Sequence, residues 1–289
     1  MNEVDGKVVL VTGATSGLGK VVAVELAKKG AAIVIAGRNP AKTRATVKEI
    51  DEQSGHAAAD GLVADLSSMG EVRRLGNEFE TRYSRLDVLI NNVGAIFAQR
   101  RSTVDGYERT FALNHLSQFL LTNLLLDTLK ASAPSRIVNV SSQAHQGGMI
   151  NFGDLHGERR YGIGGGRAYS QSKLANIMFT YELARRLAGT GVTANAVHPG
   201  TVATSFGENN GGLMGFGMKV FHRFALTPEE GADTIMYLAS SPEVEGITGR
   251  YWTKRRAVQS SPASYDESAQ KHLWDVSVRM TGVAAPAQV

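Results

Sequence analysis

Lys7-Val8-Val9-Leu10-Val11-Thr12-Gly13-Ala14-Thr15-Ser16-Gly17-Leu18-Gly19 decides the architecture. Its opening residues are apolar and β-branched without alternation, the pattern of a strand buried on both faces. Three glycines follow at Gly-x-x-x-Gly-x-Gly spacing, and a helical pattern then runs from about Gly17 to Lys29. Glycine permits a tight turn and close backbone approach, while a helix start offers unpaired N–H groups to an anion. Strand, glycine turn and helix in that order open a βαβ unit that seats a pyrophosphate. Gly13, Thr15, Ser16, Gly17, Leu18 and Gly19 are therefore candidate cofactor contacts.

The same alternation continues outward. Further strands are expected at Ala32–Ala36, Leu62–Ala64, Val88–Asn91, Arg136–Val140 and Val192–Val197. Helical patterns separate them at Ala41–Ser54, Ser68–Tyr83, Val104–Leu129 and Ala168–Ala188. Strict β-α alternation implies right-handed crossovers and an α/β fold, a doubly wound parallel sheet flanked by helices. Two later helices announce their starts by Ser/Thr-x-x-Glu caps, Thr227-Pro228-Glu229-Glu230 and Ser264-Tyr265-Asp266-Glu267, the second helix reaching about Met280. No repeat or linker interrupts residues 1–289, so one domain is expected, with a Gly/Met/Phe-rich stretch at about 205–225 as a substrate lid or a long irregular loop.

Composition narrows the function. At 289 residues and 43% hydrophobic content the chain can bury a sizeable core. It contains no cysteine, which excludes disulfide scaffolds, thiolate nucleophiles and iron–sulfur clusters. The net charge of +4 comes from scattered basic pairs rather than a basic stripe, so no nucleic-acid partner is expected. The seven histidines lack metal-ligand spacing, and no metal is expected. No apolar run reaches the roughly 18 residues of a membrane span, and a cytoplasmic protein with no membrane partner is expected.

Arg38 follows the second strand, where an NAD site usually has an acid for the ribose 2′-hydroxyl. A guanidinium there pairs with a 2′-phosphate, so NADP (NADPH) is expected in preference to NAD. A solvated strand-end arginine is the alternative reading. Asp65 and Leu66, just past the third strand, either bracket the adenine or, for Asp65, cap the next helix. Tyr169 and Lys173 stand at i and i+4, one turn apart on one helix face. A free phenol is a poor base at neutral pH; a neighbouring ammonium is expected to lower its pKa into a useful range.

Together these motifs resemble the short-chain dehydrogenase/reductase family, whose members share a Rossmann-like, single-domain fold, and the likeness spans nearly the whole chain. Thr12–Gly19 resembles the family's cofactor loop, Asn91-Asn92-Val93-Gly94 its Asn-Asn-Ala-Gly segment, and Tyr169 with Lys173 its catalytic pair. The resemblance implies that Asn92 and Gly94 contact the cofactor, as do Tyr169 and Lys173. It further implies that Pro199, Gly200, Val202 and Thr204 close over the nicotinamide. It also makes Ser142, rather than Ser141, the residue that orients the substrate oxygen, and Asn114 the holder of a proton-relay water. The implied reaction is hydride transfer between nicotinamide and a carbonyl or alcohol, with Tyr169 exchanging the proton and Lys173 binding the nicotinamide ribose.

Departures from the family pattern are informative. Val93 replaces the usual alanine, and 27 positions separate Ser142 from Tyr169, with Gly147-Gly148 and Gly162–Gly166 inside that excursion. That spacing, with Ala168–Asn176, His198-Pro199-Gly200 and the ending Tyr251-Trp252 through Leu273-Trp274, resembles the retinol-dehydrogenase-like branch. Some enzymes of that branch are membrane-anchored; no anchor is expected here. The expected partner is a lipophilic carbonyl or alcohol, with Trp252, Phe206, Met214, Phe216, Met218 and Phe221 as candidate pocket walls or simple packing, and His145 near the chemistry. A homodimer or homotetramer through the helices bearing Asn114 and Tyr169 is implied, unless the excursion blocks that face. A non-catalytic dinucleotide sensor on the same fold is the competing reading; it has little reason to keep the catalytic set.

Overall fold

Five consecutive buried residues, Val8–Thr12, form β1 in the interior of the sheet. The computed structural model describes residues 4–200 and 227–284. From β1 the chain alternates through α1 (Gly17–Lys28), β2 (Ala32–Gly37), α2 (Pro40–Ser54), β3 (Ala59–Val63), α3 (Met69–Arg82) and β4 (Val88–Asn91). A broken helical stretch follows: α4 (Arg109–Phe111), a π-turn (Ala112–Leu116), α5 (Ser117–Leu124) and α6 (Leu126–Ala131). Then come β5 (Ser135–Val140), α7 (Gly166–Arg186), β6 (Val192–Val197), α8 (Pro228–Ser240), β7 (Tyr251–Thr253), β8 (Arg256–Val258) and α9 (Glu267–Thr281).

The eight strands lie in the order β3-β2-β1-β4-β5-β6-β7-β8. All neighbours are parallel except β7 and β8, so this is the expected single α/β domain with a doubly wound sheet and one antiparallel edge. The order reverses between β1 and β4, and a crevice opens there at the carboxyl ends of the strands. One apolar layer packs α1 and α8 against the sheet through Val22, Leu26, Ile35, Val138, Ile235 and Leu238. The opposite layer joins α3, α5, α7 and α9 through Phe79, Leu120, Phe119, Phe179 and Trp274. Among the described residues no helix is long and apolar enough to cross a membrane.

Several boundaries differ from expectation for physical reasons. The helix expected over Val104–Leu129 begins only at Arg109, because Glu108 caps it: its buried carboxylate accepts from the N–H groups of Thr110 (2.7 Å) and Phe111 (2.8 Å). The C-terminal helix is capped by Asp266, which accepts from Ala269 N–H at 3.0 Å, rather than by Ser264. The Ser264 hydroxyl is already committed to the Ser261 carbonyl at 2.6 Å. Thr227 and Glu230 do form the expected capping box. Trp252 is core rather than pocket wall, with its indole N–H donating to Asn195 Oδ1 at 3.3 Å. The expected lid at 205–225, including Phe206, Met214, Phe216, Met218 and Phe221, lies outside the described residues.

Phe119 ties three helices together, its ring 5.0 Å from Trp274 on α9 and 5.2 Å from Phe179 on α7. Truncating such a fully buried ring costs about 3–5 kcal/mol. Phe119→Ala should lower unfolding stability by that amount in urea titrations followed by circular dichroism; a loss below about 1 kcal/mol would show that the cluster does not carry the layer.

Candidate active site

The glycine turn is built against Asn92. Its side-chain amide donates to the carbonyls of Thr12 (2.9 Å) and Gly13 (3.2 Å), while its backbone N–H and that of Val93 donate to Thr12 Oγ1. Asn92 presses so close that a Cβ at Gly19 would lie 2.4 Å from its Nδ2 and 2.8 Å from the Gly13 carbonyl oxygen. Gly13 itself sits at φ +67°, in the region only glycine adopts without strain. Ser16 stands at the N-cap of α1 yet makes no side-chain cap, and no acid occupies the first turn. The positive end of α1 is therefore directed at the crevice rather than consumed by the chain. Leu18 is buried behind the turn and packs it onto the sheet.

A cavity of about 660 Å³ extends from this turn across the ends of β2 and β3. Gly13, Thr15, Ser16, Arg38, Asp65, Leu66 and Val93 line it, so the expected adenosine-side residues converge on one space. Arg38 is exposed at the end of β2 and makes no side-chain hydrogen bond or ion pair among the described residues. Asp65 is no helix cap; Ser68 takes that position. Burial acts to raise the Asp65 carboxyl, but bonds from Ser67 and the charges of Arg38 and Arg109 hold it below the usual carboxylate range. Glycine turn, open helix end and cationic rim together fit a dinucleotide bearing phosphates.

Arg101, Arg109 and Phe97, also in the cavity wall, were not singled out by the sequence reading. The Arg109 guanidinium sits 4.3 Å above the Phe97 ring. In sequence Arg109 lies within the helical pattern expected over Val104–Leu129, with nothing local to mark it. Only the late start of α4 and the π-turn behind it bring the residue to the crevice. The pair Arg100-Arg101 was the one available signal.

The chemical residues meet beyond the ends of β4 and β5. Ser142 opens a short 3-10 turn, accepts from the Ala144 N–H at 3.2 Å, and hydrogen-bonds the Tyr169 side chain. Ser141 is turned away, its hydroxyl donating to the Lys173 carbonyl at 2.8 Å. Lys173 is buried; its ammonium donates to the Val140 carbonyl at 3.0 Å and lies 5.7 Å from the Tyr169 ring centroid. Gly94 admits that ammonium, since a Cβ there would stand 3.1 Å from Lys173 Nζ. Asn114 sits in the π-turn with its Oδ1 accepting from Ala95 N–H (2.8 Å) and its Nδ2 donating to Ala95 O (2.9 Å) and Ser172 Oγ (3.0 Å). Both amide hydrogens are thus engaged by the protein, so the side chain clamps the loop after β4 to α7.

The electrostatics reverse one expectation. The phenol of Tyr169 is not lowered by its cationic neighbour; burial pushes it up to about 12, against the opposing effect of the Ser142 hydrogen bond. The same burial lowers the Lys173 ammonium to about 8. Pro199 and Gly200 follow β6 at the same end of the sheet; Val202 and Thr204 lie outside the described residues. Gly94 and Ala95 join the two halves: Ala95 lines the cavity and holds Asn114, and Gly94 adjoins Lys173.

Compared with known proteins, residues 7–214 match the family model described as short chain dehydrogenase. The chain is 46% identical over 292 residues to retinol dehydrogenase 14 of Mus musculus, covering 96% of this chain and 86% of that one. The crystal structure of an uncharacterized protein from Mycobacterium Paratuberculosis gives a TM-score of 0.80 at 33% identity, covering 99% of this chain and 97% of the other. The Pseudomonas aeruginosa RhlG/NADP active-site complex gives 0.69 at 26% identity over 87% and 96% of the two chains.

The buried Lys173 is open to direct measurement. Its ammonium should be cationic below about pH 8 and neutral above it, where an ordinary lysine holds its proton to 10.5. In protein carrying carbon-13 at lysine Cε, one resonance should titrate near pH 8 and vanish in Lys173→Met; a set of lysines all titrating above pH 10 would refute the assignment.

Proposed function

Because the chain belongs to the short-chain dehydrogenase family, NAD(P)-dependent oxidoreductases acting on CH–OH groups, we propose that it interconverts a carbonyl and an alcohol on a lipophilic small molecule, using NADP(H) in preference to NAD(H). The observation that carries the catalytic reading is the convergence of Ser142, Tyr169 and Lys173 next to the glycine cradle. Nicotinamide bound in that crevice supplies or accepts the hydride. At neutral pH Tyr169 holds its proton, as its raised pKa requires, and in reduction it passes that proton to the carbonyl oxygen to give the alcohol. Ser142, aimed by the Ala144 N–H, hydrogen-bonds the same oxygen. Lys173, cationic at pH 7, opposes the negative charge left on the phenolate until a solvent proton restores it. Oxidation of the alcohol reverses each step.

Support for NADP comes from charge. Arg38, Arg101 and Arg109 face the cavity against the carboxylate of Asp65, and a 2′-phosphate is the part of NADP that such an excess of guanidinium recognises. RhlG, a structural relative, was solved with NADP. Support for a lipophilic substrate comes from likeness to a protein named for retinol.

Turnover with NADPH should be screened over quinones, retinal-like aldehydes and cyclic ketones. On any substrate found, Tyr169→Phe should cut kcat by about a hundredfold or more, the scale of a lost general acid; unaltered turnover would remove Tyr169 from the reaction. Arg38→Asp should weaken NADPH binding by about tenfold or more, the value of a charged hydrogen-bonded pair, while sparing NADH. Equal losses for both dinucleotides would defeat the proposed preference.

A further inference from the structure

Ser142 is held by more than its own strand. The ring of His145 is fully buried within the turn that Ser142 opens. Its Nδ1 lies 2.7 Å from the Ser142 carbonyl oxygen, and its Nε2 lies 3.1 Å from the backbone nitrogen of Ser261. A carbonyl accepts and an N–H donates, so only the neutral tautomer with the proton on Nδ1 satisfies both. Burial favours that neutral ring. Tyr251 packs edge-on at 4.8 Å and fixes the ring plane.

Ser261 belongs to a segment that is itself anchored. The Ser260 hydroxyl meets the Tyr181 hydroxyl at 2.7 Å and that of Ser264 at 2.6 Å, and the Ser260 N–H donates to the Tyr265 hydroxyl at 3.1 Å. Tyr181 stands on α7, about three turns beyond Tyr169. One short segment is thus fastened both to the turn that carries Ser142 and to the helix that carries Tyr169. A serine hydroxyl and a phenol acting on one oxygen must hold their spacing to about half an ångström; Ser141 and Lys173 join the end of β5 to α7 directly, and segment 260–265 adds a second tie that reaches the Ser142 turn itself.

We propose that His145 is a positioning residue, which sets the Ser142 hydroxyl against Tyr169 by tying the Ser142 backbone to the α7-anchored segment 260–265. It rests on the roles proposed above for Ser142 and Tyr169. His145 touches neither hydroxyl; it acts through the Ser142 carbonyl. A ring that merely fills core would affect stability, and its effect on turnover would be indifferent to whether residue 142 carries a hydroxyl.

The test compares carbonyl reduction by the full chain, saturated with NADPH, in His145→Phe, Ser142→Ala and the double variant. His145→Phe keeps a buried ring and removes both nitrogens. It should lower kcat about tenfold with the NADPH Kd within about twofold, and by less than about twofold once Ser142→Ala is present, since no hydroxyl remains to be aimed. The same fold-loss in both backgrounds, or a matching rise in NADPH Kd, overturns the inference while leaving the catalytic reading intact. Unchanged kcat in Ser142→Ala would instead overturn the catalytic reading, and this inference with it. Ser261→Pro provides a second variant should His145→Phe not fold. At φ −63° proline suits the backbone angle; the variant removes the N–H that meets His145, together with a Ser261 hydroxyl that has no hydrogen-bond partner among the described residues. The same dependence on Ser142 is expected, and its absence overturns the inference.

Discussion

The side-chain amide of Asn92 makes the crevice possible. β1 and β4 are neighbours whose chains leave the sheet in opposite directions, and the gap between them is where a ligand can enter. An amide on β4's exit bonds two successive carbonyls on β1's exit, so the glycine turn is set by its neighbour strand rather than by its own glycines alone. The constraint then propagates. Asn92 must approach closely, so Gly19 can carry no side chain; with the turn fixed, the N–H groups of α1 point outward, uncapped by Ser16. Two residues further along the β4 exit, Gly94 makes room for Lys173, and Ala95 grips Asn114. Cofactor cradle and catalytic pair are thus two ends of one short stretch, residues 92–95.

Burial then decides the protonation chemistry. In water a phenol and an ammonium titrate close together, and a mutual attraction would favour the doubly charged pair. Inside the protein each charge has lost its hydration, so both neutral forms gain, the phenol moving up to about 12 and the ammonium down to about 8. At pH 7 the result is a protonated acid beside a cation that still holds its charge. That resting state suits delivery of a proton to a carbonyl; abstraction of one from an alcohol is favoured as pH rises. The expectation of a lowered tyrosine weighed the neighbour and omitted the solvent.

What the sequence disclosed follows from how local each feature is. Parallel strands buried on both faces leave unbroken apolar runs, and the glycine spacing and Tyr-x-x-x-Lys pair are contained within single turns; all three are readable in a short window. Arg109 was not, because its place in the cavity wall goes with a helix that starts only at residue 109 and a π-turn at residues 112–116, neither of which a short window signals. The hairpin of β7 and β8 was missed for another reason. Its turn residues Lys254 and Arg255 have φ +49° and +57°, where asparagine and glycine are the usual signal. Tertiary contacts stand in for the missing propensity: Arg255 pairs with Asp233 on α8, and its N–H donates to Thr234 Oγ1 at 3.2 Å.

That unforeseen hairpin has a consequence at the opposite end of the argument. It reverses the chain at the sheet edge and sends it back, so that residues 260–265 pass between the Ser142 turn and α7 instead of leaving the domain. A strand at the edge of a sheet commonly serves to end it. Here the edge also returns a backbone N–H to a buried imidazole and a hydroxyl to Tyr181, contacts that a chain continuing parallel past β7 could not reach. The antiparallel strand is therefore part of how the fold holds β5 and α7 in register, although none of its own residues approaches the crevice.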